Sequence, residues 1–541
     1  MLAGTPAFDQ LVDSYYRAWW NLCPSVGSRA GLYEYDADLE SPSATLMEGR
    51  RRQVAETAAA CAKLQSPSAG TLEELDRMAF GSHLAITELR LGTIQRWRRD
   101  ASVPLTDAVE SLFELLMRRD LSDADTVRAI AVRLGKVPEY LRAGRSRIDN
   151  PVGLWVTMAE QSVPGSVELI RDAVMPLGER HPSLQGELTA AGRAAVDAVL
   201  NYGEWLRTLR EKPLSDDFAV GEETLGRLIK EWHGLTVTPA EVEELGWSLV
   251  QHYRDELDEH AQRLDRGASW QTALAHARAS FTQRSRDVLG GYRAITRDLR
   301  DRLIRDDLLD LPPGESCKVI PTPGFLRALV PTAAYSNPGP LDRRQIGIFY
   351  VTEPDRAVGE EIYRANVGQH YGIEETCVHE AYPGHHVQLC WANQAASRAR
   401  QMAEHIIFME GWTLYCEQWM IDQEWFADPL LKINYLAGQL WRAYRMVIDV
   451  GIHTRKLSVA AAVRMLVDGL GFTEERARTE LNWYTQSPAV PMSYMLGKRE
   501  TLALRDEFMR TPGATLKHFH RRLLGFGSLP QRWLGPHLAG C

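Results

Sequence analysis

Cys377-Val378-His379-Glu380-Ala381-Tyr382-Pro383-Gly384-His385-His386-Val387-Gln388 sets three imidazoles and one carboxylate between apolar flanks. Histidine is the commonest metal-ligand side chain, and a glutamate directly after the first histidine is the general base of metal-assisted hydrolysis. In the usual H-E-x-x-H pattern the two histidines stand one helical turn apart and share one tetrahedral zinc. Here His379 precedes His385 by six positions and His386 by seven. Seven residues of straight helix rise about 10 Å at ~1.5 Å each, too far for both rings to reach one ion at ~2.0–2.1 Å. Pro383 cannot continue the hydrogen-bond ladder, and Gly384 accepts backbone geometries closed to other residues. The stretch therefore reads as an expanded H-E-x-x-H, with the helix broken at Pro383-Gly384 and either His385 or His386 brought to the second ligand position. The alternative is a buried helix with two capping histidines after a Pro-Gly stop. A helix running straight through residues 383–384 would exclude the metal site.

A zinc centre needs a third protein ligand and an open position. Phe408-Met409-Glu410-Gly411-Trp412-Thr413-Leu414-Tyr415-Cys416-Glu417 offers one in Glu410, 25 residues after His385. That interval leaves room for the rest of the motif helix, a short loop and entry into another helix. Glu410 and Glu417 are seven apart and share a helical face. One of them ligates, and the other orients a histidine through its second ring nitrogen. An unpaired glutamate in so apolar a stretch is costly to bury, and a cation relieves that cost. Pairing of Glu410 with Arg442 or Arg445 is the competing explanation.

The rest of the composition narrows the class. With 45% apolar and 25% charged residues over 541 positions, the chain is ordinary globular protein, long enough for more than one core. A net charge of −9 argues against a nucleic-acid partner, which requires a basic face. Asp9, Asp13 and Arg17 interrupt the apolar residues between Met1 and Pro24, unlike a signal peptide, and no run of about 18 uncharged apolar residues predicts a membrane span. Seven scattered cysteines without zinc-finger spacing read as reduced thiols, Cys377 and Cys390 as packing residues, and the expected compartment is the cytoplasm.

Along the chain, three- and four-residue spacing predicts helices almost throughout residues 1–210, as in Phe8-Leu11-Val12-Tyr15-Tyr16-Trp19 and Leu72-Leu75-Met78-Ala79. Breaks are expected at Ser41-Pro42-Ser43, Ser66-Pro67-Ser68-Ala69-Gly70, Asn150-Pro151-Val152-Gly153 and His181-Pro182-Ser183. Residues 211–310 continue as charged helices, one of them opened by a capping box at Thr238-Pro239-Ala240-Glu241. From 311 to 541 lies the catalytic-type region. Here Lys318-Val319-Ile320 and Gln345–Thr352 read as short strands between Pro321-Thr322-Pro323-Gly324 and Asn337-Pro338-Gly339-Pro340. The fold expected is mainly α: a large helical array, without a repeat period, carrying a small β-sheet next to the metal-binding helix.

Arg442, Arg445, Asp449 and His453 recur at three- and four-residue steps on one predicted helix. They are candidates to bind a substrate carboxylate or stabilise an oxyanion, or else form a salt-bridge ladder between helices.

His379-Glu380 through Gly384-His385-His386, followed by Glu410-Gly411-Trp412 and Tyr415, resembles the bacterial family called domain of unknown function 885, with its H-E-x-x-P-G-H-H and E-G-W-x-x-Y patterns. The likeness runs nearly the whole chain. It takes in Gly31-Leu32-Tyr33, Val220-Gly221-Glu222-Glu223, Val447-Ile448-Asp449-Val450-Gly451-Ile452-His453 and Leu523-Leu524-Gly525-Phe526-Gly527-Ser528-Leu529-Pro530. More distantly, the central hundred or so residues resemble the gluzincin metallopeptidases, departing by a two-residue insertion and by Met409 where neutral aminopeptidases have asparagine. By position this likeness implies His379, His385 and Glu410 as ligands of one zinc, Glu380 as base, and His386 turned elsewhere, toward substrate. It further implies a sheet edge that pairs with extended substrate, the alternative being strands that only pack a core, and a tyrosine, Tyr484 or Tyr494, that holds the tetrahedral intermediate, the alternative for each being a packed core aromatic.

The expectation is a zinc-dependent peptidase or amidase of short peptides or small amides. Runners-up are a metal-dependent small-molecule enzyme with lyase or other hydrolase chemistry, and a non-catalytic metal-binding scaffold. Imidazole and carboxylate ligands accept iron, manganese or cobalt as well as zinc. Oligomeric state and substrate identity are not encoded in any motif of the chain.

Overall fold

A computed structural model describes residues 6–264, 267–285, 287–323, 327, 330 and 332–538. Gly324 of the expected turn and Cys541, the last of the seven cysteines, lie outside the described residues. Among the described residues the architecture is a mainly helical array with one three-stranded sheet. Helices begin where short polar side chains satisfy free N–H groups. Ser43 accepts from Leu46 N, Thr71 from Glu74 N and Asp123 from Thr126 N, at the heads of Ala44–Cys61, Leu72–Glu88 and Ala124–Ser146. The capping box forms as expected: Glu241 N donates to Thr238 Oγ1 (3.2 Å) and Thr238 N to Glu241 Oε2 (2.7 Å), opening the Pro239–Leu264 helix.

Two cores carry the site. One joins Ile86, Leu89 and Trp155 to Leu257, Leu440, Ile448 and Met492. The other joins Leu75 and Ala79 to Phe349, Val378, Trp412 and Phe519. Residues from the first hundred positions thus pack in the same cores as the motif helices. The Leu431–His453 helix is buried over most of its length because Pro239–Leu264 and Val490–Phe508 both pack against it.

Strand β1 (Ser316–Pro321) pairs in parallel with β3 (Ile346–Val351), and β2 (Ala333–Ser336) pairs antiparallel with β3's other edge, Tyr335 opposite Phe349. Central β3 is buried over Gly347–Val351, which explains its unbroken apolar run. The third strand, β2, was not expected. Ala-Ala-Tyr-Ser has neither the length nor the alternation that marks a strand, and its pairing comes from β3. Among the described residues no helix is long and apolar enough to cross a membrane.

Candidate metal centre

The motif helix does break. Ile373–Glu380 ends at Ala381 (φ −112°, ψ −87°) and a second helix, His385–Ala392, starts after Gly384 (ψ −134°). Gly384 lies against the last turn of the first helix, so close that a Cβ there would run into the carbonyl oxygens of His379 and Val378. Only glycine permits that approach. The turn is pinned by Trp412, whose Nε1 donates to Pro383 O (2.9 Å).

The break brings His385 to His379: the two rings stand edge to face with centroids 4.9 Å apart. Glu410, on the Ile406–Asp422 helix, points its Oε2 at both, 3.6 Å from His379 Nε2 and 3.5 Å from His385 Nε2. The three ligand atoms lie within 4.8 Å of one another. Both contacts are longer than a normal hydrogen bond, and Glu410 Oε2 is a buried acceptor without a hydrogen-bond partner. Four ligands at ~2.0–2.1 Å in a tetrahedron stand roughly 3.3 Å apart, so these spacings suit one shared cation better than direct pairing. The donor set, two imidazoles and a carboxylate, fits zinc and its neighbours in the transition series.

Glu417 fixes the first histidine. Its Oε1 accepts from His379 Nδ1 at 2.7 Å, leaving Nε2 to face Glu410. Arg442 lies 3.6 Å from Glu417, not on Glu410. Burial pushes the His379 imidazole down, but Glu410 and Glu417 outweigh it and lift the ring to about 10. Burial raises the Glu380 carboxyl, with His379 and His385 pulling the other way.

The E-G-W pattern now has three physical roles: Glu410 faces the histidines, Trp412 pins Pro383, and Gly411 lets the Val490–Phe508 helix cross in contact. A Cβ on Gly411 would meet the backbone of Gly497, and one on Gly497 the carbonyl oxygen of Ile407. That crossing carries Tyr494 to the centre, where burial and the Glu410 carboxylate raise its hydroxyl.

Other expected site residues are engaged elsewhere. His386, expected to turn toward substrate, is turned to the sheet. It is fully buried, with Nε2 2.7 Å from Glu315 Oε2 and Nδ1 2.9 Å from Tyr335 Oη. Glu315, missed in the sequence, also accepts from Tyr382 Oη (2.5 Å) and Arg300 Nε (2.9 Å), and so ties the broken motif to the sheet. It stands in a Pro-Pro-Gly turn with nothing in its neighbours to mark it. On β3, Gly347 makes room, since a Cβ there would strike Tyr335 and His386.

Tyr484 is buried with its hydroxyl on Arg445 Nε (2.9 Å) and Trp441 Nε1 (3.3 Å), so of the two tyrosines Tyr494 is the one beside Glu410. Arg445 also pairs with Glu480 at 3.3 Å. Asp449 accepts from Ala489 N and Met492 N, both 3.2 Å, and His453 Nε2 bonds Tyr484 O (3.0 Å). The Arg442-to-His453 stripe thus divides: its lower half, Asp449 and His453, holds the backbone around the turn before Val490–Phe508. Cys377 and Cys390 are buried free thiols, as expected of packing residues.

The family whose pattern matches residues 24–537 is described as bacterial protein of unknown function (DUF885). The chain belongs to this DUF885 family. Two solved structures share its fold over nearly their whole length. A "putative lipoprotein of unknown function" from Shewanella oneidensis is 19% identical, with TM-score 0.76, covering 98% of this chain and 99% of its own. A "putative lipoprotein" from Colwellia psychrerythraea is 17% identical, with TM-score 0.80, covering 98% of each chain. No curated protein sequence matches the DUF885 chain.

Proposed function

We propose that this DUF885 protein is a metal-dependent hydrolase of short peptides or small amides, with His379, His385 and Glu410 holding one zinc or similar ion and Glu380 as general base. The observation that carries the reading is the buried, unpartnered Glu410 Oε2 between two imidazole nitrogens. When bound, the ion would supply Lewis acidity toward a carbonyl and make water more acidic. The chain's own part is to hold a proton on Glu380 and return it to the leaving amine, while Glu417 keeps His379 oriented and Tyr494 offers an O–H beside Glu410. The gluzincin likeness supports this through the motif alone. The cytoplasmic compartment expected from the amino terminus stands beside a cell-envelope one, since both structural neighbours are described as lipoproteins; the proposed chemistry is the same in either.

Protein purified without chelator is expected to hold one equivalent of a divalent transition metal by elemental analysis. Because a proton competes for His379 up to about 10, apparent affinity should rise with pH, by roughly tenfold per unit where one proton is displaced. Absence of any bound transition metal, and no uptake by the apo protein, would overturn the reading.

Two arginines in a chain of ring contacts that starts at Tyr494 suggest a subsite for a substrate carboxylate. Arg445 lies over Tyr494 (4.7 Å) and Trp441 (4.1 Å), and the exposed Arg476 over Trp441 (5.3 Å) and Phe472 (3.7 Å). Arg476→Ala should raise KM about tenfold for substrates with a free carboxylate and leave their amides unchanged, the scale of one charge-assisted hydrogen bond; an equal effect on both would remove this subsite.

A further inference from the structure

Lys498 is buried at 2% exposure on the Val490–Phe508 helix, in the crossing that carries Tyr494 to the ligands. Its Nζ donates to Tyr435 Oη and Gln439 Oε1, both at 2.8 Å, with Tyr253 Oη at 3.4 Å. From there a single line of hydrogen bonds leads to the metal centre. Gln439 Nε2 donates to Glu417 Oε2 (3.0 Å), and Glu417 Oε1 accepts from His379 Nδ1 (2.7 Å). The line crosses four helices: Val490–Phe508, Leu431–His453, Ile406–Asp422 and Ile373–Glu380.

Its direction is set at the lysine end. An ammonium has hydrogens and no lone pair, so Gln439 must turn its oxygen to Lys498 and its NH2 to Glu417. Burial brings Lys498 down to about 7, with Glu417, Asp422 and Glu256 opposing, yet even the neutral amine keeps two hydrogens for its two 2.8 Å acceptors. Glu417, receiving a donor on each oxygen, stays an acceptor, so His379 keeps its Nδ1 proton and Nε2 is the nitrogen that gives up its proton and offers a lone pair. That is the tautomer a ligand facing Glu410 and His385 requires.

We propose that Lys498 is a positioning residue for the metal centre: through Gln439 and Glu417 it fixes the tautomer and orientation of His379. This rests on the metal reading above. It goes beyond it in assigning a role to a lysine and a glutamine that touch neither ion nor substrate.

The test titrates apo full-length protein with zinc against a chromophoric chelator and records the cobalt(II) absorption spectrum at saturation. Wild type is compared with Lys498→Met, Gln439→Met and His379→Ala, and folding is checked by circular dichroism. Lys498→Met and Gln439→Met should each weaken zinc about ten- to a hundredfold, the range for partners behind a ligand histidine, and alter the cobalt band of the folded, saturated protein. A purely structural lysine would lower the melting temperature and leave that band unchanged. If both methionine variants bind zinc within threefold of wild type while His379→Ala loses it, the relay is wrong and the metal reading stands. If His379→Ala binds like wild type, the metal reading itself falls and the relay with it. Should Lys498→Met fail to fold, Gln439→Met decides, and unchanged affinity there overturns the proposal.

Discussion

Glu380→Gln is expected to keep its metal and lose turnover by about a hundred- to ten-thousandfold, the range general-base removal covers. Glutamine preserves the size and the partly buried place of the side chain at the end of the first motif helix but cannot take a proton. The carboxyl it replaces is raised by burial, with His379 and His385 pulling the other way. Metal content of the purified variant and hydrolysis of a peptide, amide and ester library by wild type and variant are the measurements. Metal retained with hydrolysis lost supports the enzyme. Equal turnover would remove Glu380 from the mechanism, and stoichiometric metal with no turnover by wild type across the library would favour the scaffold.

Gly384→Ala is the second large effect, and it needs no substrate. The alanine methyl has nowhere to go, since the carbonyl oxygens of His379 and Val378 fill the space and both belong to a helix turn that cannot retreat. The loop must open, at a cost on the order of 3 kcal/mol, the upper end for overpacking. Opening it moves His385 away from His379 and Glu410, so zinc affinity should fall at least a hundredfold with the helical content unchanged, read by chelator competition and circular dichroism. Gly525→Ala is a matched control: it also falls at a helix end, and a Cβ there meets nothing within 4 Å. If Gly384→Ala binds zinc as wild type does, the break does not position His385 and the site is drawn wrongly.

Both expectations trace to features of different legibility. The break at Pro383-Gly384 could be read because the two residues restrict the backbone locally, by a missing N–H and a missing Cβ. Glu410 and Glu417 could be paired because seven residues return to the same helical face, and the structure puts one toward two imidazoles and the other on His379 Nδ1. The direction of His386 could not be read. Adjacent histidines at the head of a helix point about 100° apart, and which one faces the ligands depends on where the sheet lies. Glu315 and Tyr335, 71 and 51 residues earlier, claim His386 and leave His385 to the centre. The same holds for the arginine, aspartate and histidine stripe, whose even spacing hides that Asp449 and His453 cap backbone at residues 484–492.

What the sequence by itself determined is everything written in short-range chemistry: helical periodicity, caps, a broken motif helix, and a donor set suited to a transition metal. What only the tertiary structure decided is which polar groups find each other across the cores. Tyr494 rather than Tyr484 lies by Glu410 because Gly411 and Gly497 let two helices cross in contact. Lys498 joins His379 because four helices bring single side chains into hydrogen-bond range. Hydrogen bonds act over about 3 Å with strict direction, so partners tens to hundreds of residues apart leave no periodic trace in the chain that encodes them.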